Sequence, residues 1–152
     1  MMHFKHPTIL LTMFLLLIGN VSVAAAEPKN TPECKDFLLS EAERLEVQLK
    51  KTVQESGDKI ESVFRPENFG GNKEQALMTK GAYMAFFKKY FREPVLKLHT
   101  IPGAYRQVAE METYPKVCDK IAKFKETNDK AIHTHSQIWD KALQAAEEFK
   151  PK

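Results

Sequence analysis

Beyond the first 26 residues, the side chains whose types could carry covalent or metal chemistry are Cys34, Cys118, His99, His133 and His135. Two cysteines cannot build an all-thiolate zinc site, and with about 84 residues between them they are no C-x-x-C redox pair. They could close a disulfide. Alternatively, Cys34 could be a reactive thiol, because it falls in the first turn of an expected helix, where the dipole favours a thiolate. His133-Thr134-His135 sets two imidazoles about 200° apart on a helix, whereas zinc-gripping helices use an i, i+4 pair. Asp129 and His133 have that spacing but lack a third ligand. Covalent haem needs C-x-x-C-H, which does not occur. Noncovalent Met/His ligation would draw on Met78, Met84, Met111 and His99, whose spacing does not select it.

Catalytic patterns are equally sparse. The chain has no G-x-S-x-G elbow, no H-E-x-x-H and no glycine-rich nucleotide loop; Gly70-Gly71 stands without the residues that would make it one. Glu110 and Glu112 diverge at i, i+2 and make no working carboxylate pair on a helix. The sequence therefore assigns no catalytic residue, no metal and no cofactor.

The compartment decides how the cysteines are read. Residues 1–26 begin with His3, Lys5 and His6, continue in an apolar run over 9–18, and end in Ser22-Val23-Ala24-Ala25-Ala26. This pattern predicts a secretory signal peptide cut after Ala26, its apolar run being short against the roughly 20 residues of a membrane-spanning helix. Residues 27–31 form a polar tail, and 32–150 one domain. Periplasm or extracellular medium is the expected location. Both are oxidising, which predicts a Cys34–Cys118 disulfide whose loop closure removes roughly 4–4.5 kcal/mol of unfolded-chain freedom.

Without the leader, 22 basic side chains face 20 acidic ones, interspersed. No basic stripe or reader motif points to nucleic acid. About 126 residues remain, enough for one core.

The elements that must position these residues are helices, for no alternating β-branched run follows the leader. Thr31-Pro32-Glu33 is a helix start, and Cys34, Leu38, Ala42, Leu45, Leu49 and Val53 recur at three or four along one stripe. Gly57 is expected to stop this helix, with a short continuation over 58–64. Residues 65–72 read as an irregular loop. A second helix over 73–92 is apolar nearly all round, which predicts the central helix of a bundle with Lys80, Lys88, Lys89 and Arg92 reaching outward. Pro94 and Pro102 divide the next stretch into short helices over 95–100 and 104–113. The last helix should run over 115–149, and Asn128-Asp129 leaves open whether it is continuous. Bridged cysteines in the first turns of the first and last helices make those two parallel. The expected fold is all-α: a small bundle of three long helices with the broken segments as an irregular cap.

Three functions follow. The leading one is an exported noncatalytic protein that binds a protein or envelope component. The second is a carrier of a small apolar ligand in a cavity lined by Tyr83, Phe86, Phe87, Tyr90, Phe91 and Trp139; the same aromatic and basic segment could touch a membrane, a use the pattern favours less. The third is a secreted enzyme of unassigned reaction. The oligomeric state is left open. The bridge is directly testable: thiol titration of the exported chain, denatured without reductant, should find no free sulfhydryl, and two would overturn it.

Overall fold

A computed structural model of the protein describes residues 32–110 and 121–151. The leader, the polar tail, Cys118 and the expected start of the last helix at Pro115 lie outside them. Every regular element among the described residues is helical: α1 (Pro32–Val63), a 3₁₀ turn (Pro66–Phe69), α2 (Lys73–Tyr90), α3 (Arg92–His99), α4 (Ile101–Glu110) and α5 (Ile121–Glu148). The fold is all-α. No described helix is long and apolar enough to cross a membrane.

The apolar stripe of α1 is buried as its spacing demands, with Cys34, Leu38, Ala42, Leu45 and Leu49 at 1% exposure or less. Gly57 does not stop the helix. A helix-interior glycine costs about 1 kcal/mol against alanine, and the core positions beyond it, Ile60 and Val63, are both buried and outweigh that. What ends α1 is the following turn. Asn68 Nδ2 donates to the carbonyls of Ser62 and Val63 at 2.9 and 3.0 Å, and the Gly71 N–H donates to the Pro66 carbonyl at 2.8 Å. Gly70 and Gly71 adopt φ of 61° and 83°, which side chains resist. The stretch is thus more ordered than a plain loop, and Phe69 is buried beneath it.

Asn72 then caps α2 by accepting from the Gln75 N–H at 3.0 Å. Pro94 lacks the N–H that a continuous helix would need, so α2 gives way at Phe91 and α3 starts at Arg92. Pro102 sits likewise in the first turn of α4, after a break at Thr100. α5 runs without interruption through Asn128-Asp129, the point at which the sequence leaves its continuity open.

Three tiers of core side chains set the topology. Cys34, Leu38 and Ala42 of α1 meet Tyr105 and Ala109 of α4 and Phe124 of α5. Leu45 and Leu49 share a middle tier with Leu98 and Ala131. Ile60, Val63 and Phe64 join Phe69, Ala76, Tyr83, Val95, Trp139, Ala142 and Ala146 in the lowest. Advancing residue numbers in both α1 and α5 descend through the same tiers, so these two helices are parallel. α3 and α4 climb from the lowest tier to the highest; they are the return limb and not a cap at one end. On the surface, Glu46 of α1 accepts from Lys50 at 2.6 Å and from Arg106 of α4, which together hold its carboxyl down to about 2.

α2 is not the central helix that its composition predicts. Ala76 and Tyr83 are its buried residues, while Leu77, Met78 and Met84 stand 68%, 70% and 48% exposed. α1 packs directly on α5 and α4, which leaves α2 a one-sided place at the lowest tier. Its anchor is Tyr83, whose hydroxyl donates to the Ala142 carbonyl at 2.9 Å and is raised to about 12 by burial. Tyr83→Phe should cost about 1 kcal/mol through the lost hydrogen bond. Tyr83→Ala should cost about 3–5 kcal/mol through the cavity, as for other large aromatic truncations. Denaturant unfolding of the two variants measures both, and equal losses would refute this division.

Candidate functional site

The six residues expected to line a ligand cavity are brought together, and they contact one another. Tyr83 meets Phe64 at 5.2 Å between ring centroids, Phe149 at 5.6 Å and Phe87 at 6.2 Å. Phe87 meets Trp139 at 5.3 Å and Phe91 at 5.8 Å. Phe86 lies against Tyr90 at 4.6 Å and Phe149 at 5.7 Å. Tyr90 is half exposed, with the Lys89 ammonium 5.0 Å from its ring centre. These tilted and edge-on geometries are those of packed aromatic cores. An open cleft at the lower end, lined by Ser62, Arg65, Pro66, Glu67, Asn68 and Lys150, includes none of the six.

Of the two cysteines, Cys34 is buried in the top tier and is not a free thiol; Cys118 lies outside the described residues. His133 and His135 diverge as their spacing requires. His133 is exposed beside Gln137 at 3.0 Å, and His135 is fully buried. No three His, Cys, Asp or Glu side chains gather into a metal cage among the described residues.

Two buried polar groupings went unrecognised in the sequence. In the first, Tyr105 Oη donates to Asn128 Oδ1 at 2.8 Å, and Asn128 Nδ2 donates to Glu41 Oε2 at 2.7 Å. Arg44 completes it, binding Glu41 at 2.8 Å and Asp129 at 2.9 Å. Burial pushes the Glu41 carboxyl up, but the hydrogen bonds from Arg44 and Asn128 outweigh it and leave the group below its ordinary value. The arrangement ties α1, α4 and α5 at one level.

The second lies one tier lower. His99 Nε2 and His135 Nε2 are 3.1 Å apart, and Trp139 Nε1 is 3.2 Å from that same His135 nitrogen. An indole N–H only donates, so His135 Nε2 accepts, its proton sits on Nδ1, and His99 Nε2 must be the other donor. His135 Nδ1 is buried without a partner. Burial, and then the neighbouring His99, hold His135 neutral down to about 4. Burial also lowers His99, against the attraction of Glu46 and with the repulsion of Lys50, the charged groups that α1 presents to it.

No known family model, curated protein or solved structure matches this chain.

The remaining candidate is the outer face of α2. Leu77, Met78, Gly81, Ala82, Met84 and Ala85 are all exposed, and Lys80 turns away to pair with Glu61 at 2.7 Å. Other large exposed apolar residues, Leu39, Val47 and Leu96, lie on other helices. The face has no titratable group between Glu74 and Lys88 apart from Lys80, so its chemistry is packing.

The histidine pair makes stability depend on pH. The unfolded His135 takes up a proton below about 6.5, whereas the folded one does so only near 4. Stability is therefore full above about 6.5 and is lost as pH falls towards 4, by up to about 3 kcal/mol for this group. Unfolding free energies measured from pH 7 to 4.5 should fall steadily, and His135→Gln should flatten the slope. An unchanged slope in the variant would refute the assignment.

Proposed function

We propose that this is an exported, noncatalytic binding protein, closed by a Cys34–Cys118 disulfide, whose working surface is the outer face of α2. The observation that carries this reading is the exposure of Leu77, Met78 and Met84 side by side on one helix. Contiguous exposed apolar side chains are uncommon on monomers and mark places where another surface docks. Covering such side chains recovers about 1–2 kcal/mol each, given their partial exposure already lost to neighbours. Export is supported by the leader in residues 1–26. The bridge is supported by the burial of Cys34 beside Phe124, since α5 begins three residues after Cys118 in the sequence. The carrier reading draws less support, because Tyr83, Phe86, Phe87, Phe91 and Trp139 spend their faces on one another.

The test places a photoreactive residue at Met78, and at the likewise exposed Val47 of α1 as a control, in protein expressed in its own compartment. Irradiation should give a discrete adduct from position 78 and none above background from 47. Equal or absent adducts at both positions would remove α2 as the working surface.

A further inference from the structure

We propose that the outer face of α2 docks a second copy of this chain, as an antiparallel two-fold pair centred on Gly81. The proposal rests on the reading of this face as the working surface and names its occupant. At 100° per residue, Leu77 and Ala85 lie about 40° to either side of Gly81, Met78 and Met84 about 60°, and Glu74 and Lys88 about 20°. In an antiparallel two-fold crossing, each position before Gly81 lies level with the position equally far after it on the other copy, and side chains on the same flank of the two helices meet. Leu77 then packs beside Met84, Met78 covers Ala85, and Glu74, close to the centre line, reaches Lys88. Apolar is set against apolar and acid against base, each twice over. A parallel pair would instead set Glu74 on Glu74 and Lys88 on Lys88. Lys73 and Lys89 fall about 80° out, at the rim, where both stay solvated.

The glycine itself supports the crossing. A Cβ added at Gly81 would meet nothing within 4 Å, and its φ is not positive, so neither the backbone nor the packing of one copy requires glycine there. Small residues at a helix crossing allow close approach of a second helix. Gly57 and Gly103 are open in the same way, but exposed large apolar residues do not flank them. Neither Glu74 nor Lys88 forms an ion pair among the described residues, so both are available. A single helix crossing covers less than the roughly 800 Å² per partner of a standard interface, so the dimer is a weak, reversible one.

Sedimentation equilibrium of the exported, oxidised chain from micromolar to millimolar concentration tests the pair. Wild type should show a monomer–dimer equilibrium. Gly81→Leu should be monomeric with unchanged helicity, since one copy has room for the side chain. Glu74→Lys and Lys88→Glu should each weaken self-association several-fold. An equimolar mixture of those two variants should associate about as well as wild type, because every 74–88 contact between them is again acid against base. Loss in each variant together with recovery to the wild-type level marks the antiparallel pair, because in a parallel pair neither variant would be weaker than wild type and the mixture would be tighter than it. A strictly monomeric wild type, a dimer insensitive to Gly81→Leu, or a mixture no tighter than its components would overturn the proposal. If wild type is monomeric yet position 78 still yields an adduct with another protein or with anionic lipid, the self-pair fails while the face remains the working surface. If there is neither dimer nor adduct, both readings fail.

Discussion

α1 and α5 lie side by side and point the same way, and most other features of the fold follow from that pairing. Two long helices can be parallel neighbours only if the chain between them travels back the full length of the first. α3 and α4 make that journey, from Val95 at the lowest tier to Ala109 at the highest. A single straight return helix would have packed evenly along both partners. Pro94 and Pro102 forbid it, and each break lets the limb change direction so that Val95, Leu98 and Tyr105 enter successive tiers.

A parallel pair stitched by apolar contacts alone would be free to slide by a turn. The polar groups at its interface resist this. Asn128 donates to Glu41 across the pair while accepting from Tyr105, and a one-turn shift would leave a buried carboxylate with part of its partners gone. Removing one member of such a buried charged network typically costs about 3–5 kcal/mol, far more than a displaced methyl group. His135 works in the same sense but less completely, because its Nδ1 is left unpaired. An unsatisfied imidazole N–H costs about 1–3 kcal/mol, so the His99–His135–Trp139 contact contributes specificity of register more than net stability.

The legibility of this fold in the sequence varied with how many signals agreed. For α1, periodicity, the proline start and the acidic first turn all pointed one way, and Cys34, Leu38, Ala42, Leu45 and Leu49 are buried as read. In α5 the stripe was readable only with its polar members included. Phe124, Asn128, Ala131, His135, Trp139, Ala142 and Ala146 step by three or four, whereas the apolar members alone leave gaps at Asn128 and His135. Polar side chains in phase with an apolar stripe are the available signal of a buried network. Gly57 misled because helix propensity is local, while Ile60 and Val63 are held by α5 and the rest of the lowest tier. The parallel arrangement was accessible only through the cysteines, since periodicity says which face is buried and nothing about direction.

α2 shows where composition alone is weakest. A helix apolar on every side is ordinarily buried on every side, and that rule assumes neighbours enough to surround it. This chain has two long parallel helices and one broken return limb, so one side of α2 meets Tyr83's partners and no element among the described residues remains for the other. The apolar side chains of that outer face therefore find no cover among the described residues of one copy. They cost solubility, and Gly81 among them weakens the helix without relieving any close contact. Two-fold symmetry resolves the difficulty without calling on another sequence: a face whose two halves are complementary about its own centre supplies, in a second copy, the neighbour that the monomer lacks.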